Sequence, residues 1–297
     1  MNIAIIGYGK MGKFIESLAL EQGYRVVAVV DPFYGPETSM HGAPVYRTIP
    51  EMAAGPGGVG HAAGPDRAGP DYAGPDPADR TGRIDVALEF TRPDAVVANI
   101  KALAERRIPV VVGSTGWQDR LEEVEAAVRA AGSSLLWAPN FSLGVNLFYR
   151  IVACAAMLMD GFTDYDVAGY EIHHNKKADS PSGTAKMLVE IIMKNMGRKT
   201  QAVYETLNRP PRPEELHYGS LRLGAMPGTH TIVFDSPSDS IEITHRARNR
   251  EGLVRGALMA ARWLLRCDEA GPVRQGVFTF DDVLADSIGR QKTGSLS

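Results

Sequence analysis

The chain has 297 residues, 44% of them apolar, with 32 basic residues against 35 acidic ones. That is enough apolar material for one large or two modest domains with full cores. The near-even charge and a pI near 6.2 exclude a nucleic-acid groove or an anionic-membrane patch as the main purpose.

In chain order, MNIAIIGYG opens without a basic stretch or a small-residue cleavage site and predicts a strand rather than a signal peptide. Apolar runs IAII, VVAVV, DVALEF, PVVVG and SLLWAP alternate with amphipathic segments KFIESLALEQ, DAVVANIKALAERR and RLEEVEAAVRAA. Fully apolar strands alternating with helices predict a parallel sheet covered on both faces. Residues 53–80 break this pattern. An AGP unit recurs there with almost nothing to bury, which predicts a flexible surface insertion. Its cost is small because loop-closure entropy grows only logarithmically. His61, inside it, reads as a bystander.

Within the first run, Gly7-Tyr8-Gly9-Lys10-Met11-Gly12 is a GxGxxG that follows a strand and opens a helix, the context a dinucleotide fingerprint needs. Gly7 permits the tight turn, Gly9 lets the backbone approach a pyrophosphate, and Gly12 allows close helix-to-strand packing. The helix N-terminus supplies donors for the anion. The second strand ends in Asp31, placed to bind the ribose hydroxyls of adenosine. Asp31 is followed by Pro32 and Phe33 rather than a basic residue, so NADH is expected to be preferred and NADPH usable, with Lys10 and Lys13 nearby in partial compensation. Gly113-Ser114-Thr115 and Ala138-Pro139-Asn140-Phe141 follow later strands, at the ends where open α/β sheets place ligands, and are candidates to hold a nicotinamide carboxamide.

After residue 142 the pattern changes to α+β. LGVNLFYRIVACAAMLM, interrupted by Asn146 and Arg150, reads as a buried helix of a soluble protein rather than a membrane span. The two cysteines, Cys154 and Cys267, are expected as buried thiols in a reducing compartment. A strand, DVAGYEIHH, leads into NKKADSPSGT and a helix, TAKMLVEIIMKNM. SLRLG, HTIVFD and SIEITHRA then predict an antiparallel meander. LVRGALMAARWLLRC is a further helix, GVFTFDDVL suits either domain, and ADSIGRQKTGSLS is expected to fray.

EIHHNKKADSPSGT, residues 171–184, concentrates donors beside this cofactor domain. Its charge density alone suits a solvated loop. A hydride acceptor, however, needs a proton donor and orienting groups. His173 and His174 point to opposite faces of a strand, Lys177 offers a donor to a carboxylate, and Gly183 and Thr184 open a helix with N–H groups free for an anion. Ser180 or Ser182 caps that helix, and Pro181 suits its first position. Two donor clusters so spaced suit a substrate with two carboxylates.

The same stretch resembles the signature of the dihydrodipicolinate (4-hydroxy-tetrahydrodipicolinate) reductase family, E-x-H-H-x-x-K-x-D-x-P-S-G-T-A, at every fixed position. GYGKMG, DVALEFTRPDA, VVGSTGW, APNFSLGVNL, LRLGAMPGTHTIVF and IEITHRA extend the likeness over the chain except residues 53–80 and the tail. The resemblance implies an NAD(P)H-dependent reductase of diaminopimelate and lysine biosynthesis. It implies His173 as the proton donor after hydride transfer, Lys177 as the second donor, His174 as a substrate contact, and Gly183 and Thr184 as a carboxylate clamp. Gly7 to Gly12, Asp31, Gly113 to Thr115 and Ala138 to Phe141 match the family's cofactor contacts, and Lys10 stands where some relatives carry arginine. The implied fold is a Rossmann-like dinucleotide-binding domain, 1–142 plus 246–297, with an inserted α+β domain of open mixed sheet, 143–245, that builds a cytoplasmic homotetramer. His230 and His245 read as hydrogen-bonded core or hinge residues, and no cluster has zinc-ligand spacing. Two rival readings are an NAD(P)-dependent amine or amino-acid dehydrogenase such as diaminopentanoate dehydrogenase, and a non-catalytic dinucleotide sensor. The intact His173-His174…Lys177 with PSGT favours the reductase.

Overall fold

The computed structural model describes residues 1–34, 39–52, 83–269 and 271–294. The AGP-rich insertion and His61 lie outside the described residues. In chain order the elements are β1 (Asn2–Ile6), α1 (Lys10–Glu21), β2 (Arg25–Val30), β3 (Val45–Tyr46), α2 (Ile49–Met52), β4 (Val86–Glu89), α3 (Pro93–Glu105), β5 (Val110–Val112), α4 (Leu121–Ala130) and β6 (Ser134–Trp137). These are followed by α5 (Leu143–Asp160), β7 (Asp166–His173), α6 (Gly183–Asn195), β8 (Gln201–Val203), β9 (Glu215–Arg222), β10 (Thr229–Asp235) and β11 (Ser240–Arg246). The last three are α7 (Glu251–Leu264), β12 (Gly276–Thr279) and α8 (Phe280–Gly294). The chain divides into two units, Met1–Phe141 with Val254–Ser297, and Ser142–Leu253.

The first unit is built on a seven-stranded sheet in the order β12-β6-β5-β4-β1-β2-β3. Every pairing in it is parallel. Its central strands are buried on both faces, as the unbroken apolar runs require. One core gathers Ile3, Ile5 and Val29 with Ile15 of α1 and Ala257, Leu258 and Ala261 of α7. The other gathers Ala4, Ile6 and Val110 with Ile100 of α3 and Val124 and Val128 of α4. GVFT, which the sequence left free to join either domain, is β12 and pairs with β6. Of the tail expected to fray, residues 285–294 are instead the later part of α8, and 295–297 lie outside the described residues. Val283 and Leu284 are buried in the first core, and they anchor that helix.

The second unit holds a five-stranded mixed sheet, β11-β10-β7-β9-β8. β10 and β11 form the expected hairpin. The rest of the predicted meander is corrected: β9 does not pair with β10. Instead β7 lies between them, antiparallel to β10 and parallel to β9. Neighbouring strands are only about 4.8 Å apart, so the short link from Leu223 to Gly228 can step over the end of β7. It is fastened there by Leu223 N–H donating to the His173 carbonyl at 2.7 Å. α5 and α6 pack one face of this sheet through Phe148, Val152, Ala156, Leu188 and Ile192.

Two further expectations are revised on α5. It is half-exposed rather than buried, with Leu147, Ile151, Met157 and Leu158 facing out. Its apolar residues run all the way round, and only the sheet-facing stripe finds partners. Among the described residues it is the one helix long and apolar enough to cross a membrane, and that stripe belongs to the core of this unit. Cys154, on the outward stripe with Ile151 and Leu158, is exposed, as is Cys267, and both are free thiols.

Candidate active site

In the first unit, the GxGxxG residues run from the end of β1 into the first turn of α1. Gly7 adopts φ +93°, a left-handed conformation glycine tolerates, and a Cβ there would lie 2.6 Å from the Phe90 carbonyl oxygen. Gly12 brings α1 so close to β1 that a Cβ would lie 2.1 Å from the Gly7 carbonyl oxygen. Gly9, by contrast, faces open space. It is the N-cap of α1 and offers no side-chain acceptor to the first helical N–H groups, so those donors suit an incoming phosphate. Asp31 caps the loop from below: one carboxylate oxygen accepts from Tyr8 N–H at 2.7 Å and the other from Phe33 N–H at 2.9 Å. Each oxygen keeps a further lone pair for a ribose hydroxyl.

Not every side chain in the motif reaches outward. Tyr8 is fully buried, its hydroxyl bonded to Glu16, so only its backbone borders the loop. Burial and the Glu16 contact push the Tyr8 phenol up. Met11 is half-buried and Lys10 is exposed at the loop's edge. Lys13 lies over the Tyr34 ring, 4.8 Å from its centroid, a cation–π contact that holds its charge beside the loop.

At the ends of the later strands, Gly113 is pressed on the Phe90 ring, where a Cβ would lie 2.1 Å from a ring carbon. Ser114 donates its hydroxyl to buried Glu89 at 2.6 Å, and Thr91 and Asn99 also bond that carboxylate. Burial raises the Glu89 carboxyl, and these three partners resist the rise. The Ser114 side chain is thus committed to Glu89, which leaves the loop's backbone and exposed Thr115 to meet a ligand. Ala138 and Phe141 are buried and Phe141 packs edge-on to Phe280, whereas Pro139 is exposed and Asn140 half-buried.

In the second unit, the candidate residues of EIHHNKKADSPSGT gather at the end of β7, where the Leu223–Gly228 link crosses. Glu171 and His173 are two apart and share the helix-facing side of β7. In register, Glu171 sits between Ser220 of β9 and His230 of β10, and His173 sits beside Arg222. Ser182 is the N-cap of α6, so Pro181 precedes the cap and is not the first helical residue. Its N–H donates to Glu171 at 3.1 Å and its hydroxyl also bonds that carboxylate while accepting from Ala185 N–H at 3.1 Å. Ser220 and Arg222 donate to the same carboxylate at 3.0 and 3.2 Å. Burial opposes ionisation of Glu171, but the Ser182 and Ser220 hydrogen bonds and the nearby His173 outweigh it, so its carboxyl lies below its ordinary value.

His173 is buried, with Nδ1 turned to Glu171 at 3.4 Å and no nearer partner. Burial lowers its pKa, Glu171 opposing, with the Lys177 and Arg222 charges adding to the fall. His230 packs edge-on at 5.1 Å between ring centroids, and its Nδ1 bonds the Tyr218 hydroxyl at 3.0 Å. Burial pushes His230 down to about 4 despite Glu171, so its ring is neutral near pH 7. His174 begins the loop beyond β7, half-buried. Lys177 extends to Asp179 at 2.6 Å, Gly183 is exposed at the start of α6, and Thr184 bonds Tyr149. Lys176 is exposed on the surface. His245 stacks on Phe148 at 5.9 Å, away from this group.

Glu171, Ser182, Ser220, Arg222, Tyr218 and His230 therefore form a largely buried polar cluster, of which the sequence reading gave a part in the site only to Ser182, as a helix cap. The signal for Glu171 was present in the alternation E-I-H, which places it on the His173 face. Its cross-strand neighbours depended on strand order, which the sequence did not reveal. Among the described residues, Glu171, His173 and His230 are a trio whose candidate metal-ligand atoms lie within 4.8 Å of one another. Glu171 already accepts from Ser182, Ser220 and the Arg222 cation, so in this structure its carboxylate is held by hydrogen-bond donors, with the two histidine rings beside it at 3.4 and 3.8 Å.

Family models described as the C-terminus and the N-terminus of dihydrodipicolinate reductase match residues 144–284 and 60–141. The 4-hydroxy-tetrahydrodipicolinate reductase of Christiangramia forsetii is 32% identical over 286 residues, covering 96% of this chain and 98% of the relative. That of Archaeoglobus fulgidus is 34% identical over 290 residues, covering 96% of this chain and 100% of the relative. In fold, the chain is similar to dipicolinate-bound dihydrodipicolinate reductase from Paenisporosarcina sp. TG-14. The TM-score is 0.67 at 19% identity, with 94% of this chain and 97% of that one covered.

Proposed function

The chain belongs to the dihydrodipicolinate reductase family, and from that membership we propose how its own residues carry the reaction. It is an NAD(P)H-dependent oxidoreductase that reduces 4-hydroxy-tetrahydrodipicolinate to tetrahydrodipicolinate on the route to diaminopimelate and lysine. The observation that supports the division of roles is the gathering of His173, Lys177 and the start of α6 around one end of β7.

When bound, the nicotinamide supplies a hydride from C4. His173 supplies the proton to the substrate atom left electron-rich. Lys177 exchanges its Asp179 partner for a substrate carboxylate and polarises the ring being reduced. The N–H groups of Gly183 and Thr184, with the Thr184 hydroxyl, hold the other carboxylate at the helix N-terminus, and His174 contacts the ring. In the first unit, the N–H groups from Gly9 onward receive the pyrophosphate and Asp31 the adenosine ribose. Gly113 to Thr115 and Ala138 to Phe141 border the nicotinamide.

Asp31 favours NADH over NADPH in this reading. A 2′-phosphate would approach a carboxylate held in place by two N–H groups, with the Lys13 charge drawn over Tyr34. One experiment tests both activity and preference. The protein is coupled to the upstream synthase with pyruvate and aspartate semialdehyde, and nicotinamide absorbance is followed with each cofactor in parallel. Synthase-dependent oxidation with higher kcat/KM for NADH is expected. No synthase-dependent oxidation defeats the function. An NADPH advantage of about tenfold, ~1.4 kcal/mol, defeats the preference alone.

A homotetramer is proposed from the second unit's sheet, whose helix-free face exposes Tyr170 and Leu221. Sedimentation should show four chains at micromolar concentration, and a monomer would contradict it. The same reading places the enzyme in the cytoplasm, and recovery of the activity with a membrane pellet would contradict that.

A further inference from the structure

We propose that Glu171 is a positioning residue for the reduction, one that keeps a proton on Nδ1 of His173 and so reserves Nε2 for the substrate. The inference rests on His173 being the proton donor.

Glu171 is suited to hold a ring because it is itself held. The Ser182 N–H and hydroxyl, the Ser220 hydroxyl and the Arg222 guanidinium all bond its carboxylate. Those partners come from α6 and β9, so the carboxylate cannot swing without breaking contacts to both. Oε2 faces His173 Nδ1 at 3.4 Å, and that nitrogen is buried with no hydrogen-bond partner. The separation is long for a finished hydrogen bond and short for a charge pair. Hydrogen bonds of this kind tighten when the ring gains its charge or the substrate arrives. His230 is not the ring being held: it lies farther from Oε2, at 3.8 Å, and its Nδ1 already has the Tyr218 hydroxyl.

The other nitrogen is left clear by Gly228, at φ +152° in the link that crosses β7. A Cβ there would lie 3.0 Å from His173 Nε2, so any other residue would crowd the nitrogen that must meet substrate. The link is fixed by Leu223 N–H to the His173 carbonyl at 2.7 Å and by Ala247 N–H to the Gly228 carbonyl at 2.9 Å. With Nδ1 turned to a fixed carboxylate and Nε2 uncovered, the ring has one nitrogen to orient and one to react. In the transfer, the Nε2–H bond breaks, its electron pair stays on Nε2, and the proton joins the substrate atom made electron-rich by hydride addition. The ring is left neutral with its remaining proton on Nδ1, facing Glu171.

The groups that face His173 are Glu171 on its own strand, Lys177 and Asp179 on the following loop, Arg222 on β9 and His230 on β10. Lys177 and Arg222 disfavour the imidazolium, and Glu171 is the anion in contact with it. Changing Glu171 to Gln keeps the shape and removes that charge, so the imidazolium loses its proton at lower pH. Because the acid works only when protonated, the alkaline limb of the kcat profile should move down by about one unit. A role confined to packing would lower kcat at every pH and leave the limb in place.

Two measurements test this. The first is the kcat–pH profile of Glu171→Gln against the wild type, and an unmoved limb overturns the proposal. The second needs no variant: ¹⁵N imidazole spectra of the wild-type protein at alkaline pH. The His173 proton is expected on Nδ1, and a proton on Nε2 overturns the proposal even if Glu171→Gln does not fold. Wild-type kcat in His173→Ala would instead remove the proton-donor reading, whichever nitrogen the spectra show protonated.

Discussion

His173→Ala is expected to lower kcat by about 10²- to 10⁴-fold, roughly 3 to 5 kcal/mol of transition-state stabilisation, with cofactor affinity unchanged. The ring sits in the second unit, while the glycine loop and Asp31 lie in the first, so its removal leaves the nucleotide contacts intact. Lys177→Ala should show a fall in kcat of the same order with a different companion effect. Lys177 neutralises Asp179 at 2.6 Å, and without it that carboxylate repels a dianionic substrate. KM should therefore rise in Lys177→Ala and change little in His173→Ala. Steady-state kinetics on the coupled substrate separate the two, and wild-type kcat in both variants would remove the role assignments.

The paired variants Gly9→Val and Gly12→Val should fail in opposite ways. A Cβ at residue 12 meets a carbonyl oxygen at 2.1 Å, a backbone clash that no rotamer change relieves. The cost is about 3 kcal/mol or more, and the first unit should melt lower by about 6 to 12 °C. A side chain at residue 9 meets no protein atom within 4 Å, so that variant should fold normally. Its side chain fills the space through which a pyrophosphate approaches the helix N-terminus. NADH affinity measured by fluorescence should fall tenfold or more, about 1.4 kcal/mol. Normal cofactor binding by Gly9→Val, or an unchanged melt for Gly12→Val, would contradict the corresponding half.

The parallel sheet was legible because its strands are buried on both faces and so are written as unbroken apolar runs, IAII and VVAVV among them. The glycine loop was legible because backbone crowding admits no substitute at residues 7 and 12. EIHHNKKADSPSGT was legible as a concentration of donors, and the family resemblance sorted them. What escaped was pairwise. The position of β7 between β9 and β10 leaves no mark on any one strand, since each has the same alternation in either order. With that order unknown, Ser220, Arg222 and His230 could not be placed around Glu171. The outward face of α5 escaped for a related reason: apolar letters record what a surface avoids and not whether the structure covers it. Cys154 was misplaced by the same logic.

One feature of chain order bears on how the protein is made. β6 ends at Trp137 and its partner β12 begins at Gly276, with the whole second unit encoded between them. During synthesis at about 5 to 20 residues per second, the outer edge of SLLW stays bare for roughly 7 to 30 s. Unpaired apolar edges are where nascent chains associate wrongly. The second unit, contiguous in the chain, has all its strands before that edge is covered. A ribosome stalled short of residue 276 should therefore hold a finished insert within an unclosed sheet, ready prey for a chaperone. The unit begun first is completed last.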